Sequence, residues 1–314
     1  MTPPTKVLVV GASGFVGTHV YESLLSHGVD AVGTCHAHPR PDHPEFVRLD
    51  ATQREQLERV VGERRVDHVC LVAALASPDA CRANPELAWR LNAGVPEVVV
   101  RCCEGAGASA SLVSTDYVFR GDKGAPYVEP DPRDPVNLYG QTKVAAEDAF
   151  LSSRVDARVV RISMVYGWAL PGQHKSFVEK VVEHLRAGRA IRAFVDQWGT
   201  PTFAADVGEA VAKLLTLDPD DGLNDSRVVH VAGTTRASRY EVAMATAKAF
   251  GLDGAVECVR PVKREGAGGA PRPRDTSLST ELLKRLTGFS PRSLEEGLAS
   301  MAAREPEQGA GAGE

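Results

Sequence analysis

The sequence predicts an α/β fold, a doubly wound parallel sheet with a smaller, irregular α/β region at its carboxyl edge. Three observations carry that expectation. Apolar, β-branched runs recur at residues 6–10, 31–34, 66–73, 110–114, 158–163 and 228–231. Most of them are separated by stretches with helical periodicity, so both faces of the sheet are covered. The chain has 314 residues, 43% of them hydrophobic and 25% charged, which is enough for one large domain or two modest ones and excludes disorder or coiled coil as a description of the whole.

Taken in order, the first run leads directly into glycines and a helix over 15–27. The second run, "AVGTCHAHPR", ends in polar and basic residues, and a third strand ends at Asp50 in "FVRLD" before a helix over 53–63. The run at 66–73 precedes a helix over 86–104, and the run at 110–114 precedes a helix over 138–151. After Gly167 the pattern loosens into segments holding Gly, Pro and Trp, with helices over 176–187 and 239–250, the link "GAGGAPRPRD" and a last helical piece. The expected organisation is a dinucleotide-binding domain at 1–166, to which 203–231 returns, a substrate-binding region at 167–202 and 232–305, and a disordered tail at 306–314.

A formal net charge of -5 with no basic stripe argues against nucleic acid as a partner. Apolar runs such as "VLVV" are far too short for a bilayer, and "MTPPTK" lacks the features of a signal peptide, so a cytoplasmic protein without membrane contact is expected. The six cysteines show no C-x-x-C spacing and read as reduced packing residues. His36, His38 and His43 lie among prolines without a second ligand cluster, so no metal is expected.

The stretch "VLVVGASGFVGTHV" places Gly11, Gly14 and Gly17 between a strand and a helix. Glycines in that turn let the backbone approach a pyrophosphate, and the helix offers free N–H groups to it, a Rossmann-like arrangement. No Asp or Glu follows the second strand until Asp42. Thr34, His36, His38 and Arg40 stand there instead, which favours NADP over NAD. Asp50 is placed either to accept from an adenine amino group or to cap the helix that follows.

Tyr139 and Lys143 are four residues apart and share one helix face. An ammonium beside a tyrosine lowers its titration from about 10, and such a tyrosine can pass a proton to a carbonyl oxygen while hydride arrives at carbon. The strand "SLVSTDYVF" ends in Ser114 and Thr115 at the sheet's carboxyl edge, where a hydroxyl can hold the substrate oxygen.

With those pieces in hand, the chain resembles the extended short-chain dehydrogenase/reductases, and within them the dTDP-4-dehydrorhamnose reductase family. The matching segments are "GASGFVG", "STDYVFRGDKGAPYVEPDPRDPVNLYGQTKVAAE", "VRISMVYG", "VDQWGTPTFAADVGEAV" and "RPRDTSLSTELL". The resemblance implies that Thr115, Tyr139 and Lys143 are catalytic. It implies that Gly11, Ser13, Gly14, Phe15, Val16, Gly17, Thr34, His38, Asp50, Ala51, Ala73 and Ala74, with Tyr139 and Lys143, hold NADPH, with NADH as the other nicotinamide form. It further implies a nucleotide-sugar substrate contacted by Thr115, Asp116, Phe119, Met164, Gln197 and Arg272, and a homodimer. Met164 stands where rhamnose-forming members look to have a tryptophan, and a thioether presents no flat ring to a sugar.

Three functions are weighed on this scaffold: a reductase, a dehydratase or epimerase, and a cofactor-binding regulatory subunit similar to the β subunit of methionine adenosyltransferase. The second is disfavoured because Asp116 is followed by Tyr117, not by a second carboxylate. Phe119, Trp168 and Trp198 are candidates to stack on a base, and Arg272 with Arg274 to bind a diphosphate.

Overall fold

In β1 (Lys6–Val10) every residue from Val7 to Val10 is buried, and the pleat sends them to two different cores. Val7 and Val9 join one apolar cluster, while Leu8 and Val10 join another on the opposite face. A strand sandwiched in this way has to be apolar throughout, which is why its sequence shows no alternation. The structure is a computed structural model and describes residues 6–36, 39–40, 42–217, 226–266 and 268–306. His38 and, apart from Pro306, the tail expected at 306–314 lie outside the described residues.

Five more strands follow in the same half: β2 (Asp30–Cys35), β3 (Val47–Arg48), β4 (His68–Leu71), β5 (Ser109–Thr115) and β6 (Ala157–Ile162). Then come the short strands β7 (Val165–Tyr166), β8 (Ile191–Phe194), β9 (Trp198–Gly199) and β10 (Thr202–Phe203), followed by β11 (Val228–Val231), β12 (Ala237–Ser238) and β13 (Val259–Val262). Among the described residues the main sheet has seven strands in the order β11-β6-β5-β4-β1-β2-β3, every neighbouring pair parallel. The winding reverses between β1 and β4, and a crevice opens at their carboxyl ends.

The helices are α1 (Phe15–Ser26), α2 (Arg54–Arg64), α3 (Pro78–Ala83), α4 (Pro85–Trp89), α5 (Val95–Ala106), α6 (Leu138–Ser152), α7 (Phe177–Arg186), α8 (Ala204–Thr216), α9 (Arg239–Ala249), α10 (Glu281–Thr287) and α11 (Leu294–Ala302). The single helix expected over 86–104 is instead two, joined by a π turn at Arg90–Gly94. Pro96 has no N–H to give to the carbonyl of Asn92, and the chain loosens so that the Val95 N–H reaches Arg90 O. The helix α8 is missing from the sequence reading altogether. It packs on α1 so closely that a Cβ at Gly208 would lie 2.2 Å from His19 O.

Beyond β6, apolar side chains gather in smaller clusters, one around Tyr166, Phe203, Val242 and Leu298, and one around Val181, Leu185, Ala243 and Val259. No helix among the described residues is long and apolar enough to cross a membrane.

A buried ion pair ties α6 to the sheet. Glu147 of α6 accepts from Arg161 of β6 through Nε at 2.9 Å and Nη2 at 2.8 Å, from Ser114 Oγ of β5 at 2.6 Å and from Arg133 Nη1 at 3.2 Å. The side chains of Glu147 and Arg161 are 0% and 3% exposed. Removing one partner of such a pair strands a buried charge at a cost of about 3–5 kcal/mol, whereas removing both removes the mismatch. We therefore expect Glu147→Leu and Arg161→Met each to lower the unfolding free energy by about that amount in urea titrations, and the double variant to cost clearly less than their sum. Strict additivity would contradict the coupling.

Candidate active site

The crevice is floored by the turn after β1. Gly11 has φ +92, and a Cβ there would meet Ala73 N and Cβ at 2.8 Å. A Cβ at Gly17 would lie 2.0 Å from Gly11 O, so the start of α1 can press onto the turn only as glycine. The Gly14 N–H donates to Gly11 O at 3.0 Å, and Gly14 occupies the N-cap position of α1 with no side chain over it. Ser13, Phe15 and Val16 complete this turn, and Ala73 and Ala74 follow β4 across the crevice from it. A narrow cradle with helical N–H groups at its base and no side chain filling it fits a dinucleotide pyrophosphate.

Several residues expected at the dinucleotide site are used otherwise. The Thr34 hydroxyl accepts from Gly11 N at 3.0 Å and donates to Val9 O at 3.2 Å, so this buried threonine braces the turn and has nothing left for a phosphate. Arg40 is buried as well, with Nη1 on Thr18 Oγ1 at 2.7 Å and Nε on Asp42 at 2.7 Å. Asp50 does not cap α2. Its Oδ1 accepts from Thr52 N at 3.0 Å and Thr52 Oγ1 at 2.7 Å, closing a turn of its own in which Ala51 lies. Gln173, overlooked in the sequence, reaches back from beyond β7 to Ser13 O and Thr18 Oγ1.

Tyr139 and Lys143 enter from α6. Asn137 caps that helix by accepting from Gly140 N at 2.9 Å, and its Nδ2 donates to Pro271 O at 2.9 Å. A Cβ at Gly140 would lie 2.2 Å from Tyr117 O, so the first turn of α6 rests directly on the 3₁₀ turn Asp116–Val118. Asn92, in the π turn, fixes the far side by donating to Leu75 O and Thr142 Oγ1 and accepting from Leu75 N.

Lys143 is 2% exposed and its Nζ donates to Val113 O at 2.8 Å. Burial lowers its pKa to about 8, with Glu147 pulling upward. Tyr139 is 9% exposed. Burial raises its pKa well above the usual phenol value, and hydrogen bonding with Thr115 works against that rise. At neutral pH the phenol therefore carries its proton.

Thr115 donates to Asp116 Oδ1 at 3.1 Å, and Asp116 Oδ2 accepts from Ser163 Oγ at 2.9 Å and from Thr276 Oγ1. Burial raises the Asp116 pKa, and the three hydroxyls oppose it. Asp116 thus gathers the ends of β5 and β6 and the loop before α10 around one carboxylate. Ser163 and Thr276 gave no signal of their own in the sequence. Met164 lies beside them with φ +38, a left-handed backbone that a side chain with a Cβ seldom adopts. The missing Cβ of Gly199 leaves room for its methyl group.

Gln197 donates to Tyr117 OH at 2.9 Å, and the Tyr117 and Tyr139 rings meet edge to face at 6.0 Å. Phe119 is fully buried behind the site, stacked on Tyr127 with its ring centroid 4.1 Å away. It has no free face for a base, which corrects its assignment to the substrate. Trp168 likewise packs on Phe250 and donates to Met301 O, while Trp198 has the guanidinium groups of Arg236 and Arg274 over its ring at 5.0 and 5.6 Å. Arg272, expected on a diphosphate, is paired with Asp79 of α3.

The model of the RmlD substrate binding domain family matches residues 5–306. A dTDP-4-dehydrorhamnose reductase from Mycobacterium tuberculosis is 32% identical over 294 residues, covering 91% of this chain and 88% of that protein. The methionine adenosyltransferase 2 subunit beta of Rattus norvegicus is 29% identical over 289 residues, covering 90% and 83%. Among solved structures, a dTDP-4-dehydrorhamnose reductase from Bacillus anthracis in complex with NADP superposes with a TM-score of 0.81 at 27% identity, covering 96% of this chain and 100% of that one.

The buried amine gives a stability prediction with a definite sign. Between about pH 8 and the ordinary lysine value near 10.5, the unfolded chain binds a proton at Lys143 that the folded one has released, so this group's contribution to stability rises with pH across that window. Below pH 8 the folded state bears the full penalty. Comparing Lys143→Met with the parent in chemical denaturation should show the variant relatively more stable at pH 7, by up to about 3 kcal/mol less the lost Val113 bond, with the advantage shrinking by pH 10. A difference that does not change with pH would refute the shift.

Proposed function

We propose that this chain, which belongs to the RmlD substrate binding domain family, is an NADPH-dependent reductase. In this reading it transfers hydride to the keto group of a nucleotide-activated deoxysugar of the dTDP-4-keto-6-deoxyhexose type, with Tyr139 as proton donor. The observation that supports it most is the convergence of Tyr139, Lys143 and Thr115 at the carboxyl edge of the sheet, next to the glycine cradle of β1 and α1. Residues 1–166 with 203–231 form the dinucleotide-binding part, and 167–202 with 232–305 form the substrate side.

Gly11, Ser13, Gly14, Phe15, Val16 and Gly17 would hold the pyrophosphate, Asp50 and Ala51 the adenine end, and Ala73 and Ala74 the stretch between. Bound NADPH supplies the hydride. Tyr139, kept protonated by burial, gives its phenolic proton to the substrate oxygen as that oxygen gains electron density. Thr115 holds the same oxygen by turning toward it the single hydroxyl hydrogen that it otherwise gives to Asp116. Lys143 hydrogen-bonds the ribose and, mostly protonated at neutral pH, favours the phenolate left behind. Met164 and Gln197 line the sugar. A cytoplasmic homodimer completes the proposal on the resemblance alone.

The competing reading is a cofactor-binding regulatory subunit, favoured by the similarity to the methionine adenosyltransferase 2 subunit beta. One experiment separates the two. NADPH oxidation in the presence of a dTDP-4-keto-6-deoxyhexose should fall at least about 100-fold in Tyr139→Phe while NADPH affinity stays within about twofold. Tight NADPH binding without turnover in the parent protein would favour the regulatory reading. Gly17→Ala should lose cofactor affinity by 10-fold or more on the order of the clash it creates, read by NADPH fluorescence titration.

A further inference from the structure

The guanidinium of Arg239 is a cation beside this site that the proposed chemistry leaves unused. Arg239 opens α9, where Ser238 and Glu241 already satisfy the helix start through a capping box, so its side chain is not needed there. It is half-buried and lies over the Phe177 ring at 5.1 Å. Its backbone N–H donates to Gln197 O at 3.1 Å, which ties it to the residue that holds the Tyr117 hydroxyl. Together with Met164, Phe177 and Pro201 it borders a tight, mostly apolar crevice next to the end of β6.

Among the described residues Arg239 has no ion-pair or hydrogen-bond partner for its guanidinium. Several nearby arginines differ in this respect. Arg161 is held by Glu147, Arg236 by Asp275, Arg264 by Asp196 and Arg272 by Asp79. A half-buried guanidinium carries five donors, and with no protein carboxylate on them they are free to meet water or the oxygens of a ligand. Its field also reaches the reaction centre, where it favours the anionic forms of Asp116 and Tyr117.

We infer that Arg239 is a specificity-determining residue, whose guanidinium receives an oxyanion of the nucleotide-linked substrate at the Met164 end of the pocket. The inference rests on the reductase reading for the substrate class, and adds that Arg239 gives this otherwise apolar end one group for negative charge. A planar fork above an aromatic ring presents two parallel N–H groups to a carboxylate or a phosphate. Two parts of a nucleotide sugar carry such oxygens: the diphosphate, and a carboxylate on the sugar itself. Met164, offering an apolar thioether where an aromatic ring would stack, leaves the polar recognition at this end to Arg239.

The test is a binding titration on NADPH-loaded protein, which does not require turnover. Calorimetry with dTDP, dTDP-glucose and dTDP-glucuronic acid is run on the parent, Arg239→Met and Arg239→Lys. Arg239→Met keeps an apolar stem on Phe177, and unchanged thermal midpoint and NADPH affinity certify its fold. A loss of 10-fold or more for all three ligands assigns the oxyanion to the diphosphate. A like loss confined to dTDP-glucuronic acid assigns it to a sugar carboxylate. In either case Arg239→Lys should lose less. Affinities within twofold of the parent for all three ligands overturn the inference. The reductase reading fails separately, by absence of keto-sugar-dependent NADPH oxidation in the parent protein.

Discussion

The carboxylate of Glu147 is the point on which the site depends. It sits one helical turn beyond Lys143, fully buried, and takes hydrogen bonds from β5, β6 and the segment before α6 at once. A carboxylate in that position cannot be left alone, and Arg161 answers it with two parallel N–H groups. The consequence is geometric, since α6 cannot slide along the sheet without breaking several charged bonds. Tyr139 and Lys143 are therefore held at fixed depth relative to Thr115, which follows Ser114 on β5. The same charge is felt at Lys143, where it offsets part of the burial that would otherwise strip the amine of its proton.

Burial sets the chemistry of the remaining groups. Tyr139, Asp116 and Lys143 are all pushed toward their neutral forms by the low-polarity surroundings. Proton transfer among them is then governed by what enters the crevice, because any added charge acts with little screening. Asp116 has acquired enough hydroxyl donors to stay put, and it ties together the ends of β5 and β6 as Glu147 ties α6 to the sheet.

Much of this was legible in the sequence, and the physical reasons for the remainder are specific. Strands buried on both faces announce themselves as apolar runs, unbroken from Val7 to Val10 in β1 and from Val69 to Leu71 in β4. Glycines in a strand-to-helix turn and a Tyr-Lys pair at helical spacing are local patterns, and local patterns survive in one dimension. The helix α8 escaped notice because its small residues, Gly208 among them, serve a close approach to α1 that only the fold reveals. The π turn depends on the single missing N–H of Pro96. Thr34 read as a cofactor ligand because its position is right, yet its hydroxyl closes the turn. Phe119 read as a ring for stacking because it follows closely on the end of β5, yet the chain turns it inward onto Tyr127. Ser163, Thr276 and Arg239 matter through partners far away in the sequence, and no window along the chain contains both members of such a pair.

Asn137 narrows the choices open to this chain. Ser, Thr, Asp and Asn serve about equally at a helix start, since each provides an acceptor for the first free N–H groups. Here the same side chain must also donate to Pro271 O, 134 positions away. A carboxylate has no hydrogen to give, and a hydroxyl must accept and donate through one oxygen, whereas the amide carries its acceptor and its donor on separate atoms. Only the amide answers both demands, so a position that is interchangeable in most helices has become monogamous. The helix that carries Tyr139 and the loop that closes over it share one planar group, and a rotation that misplaces either bond misplaces both.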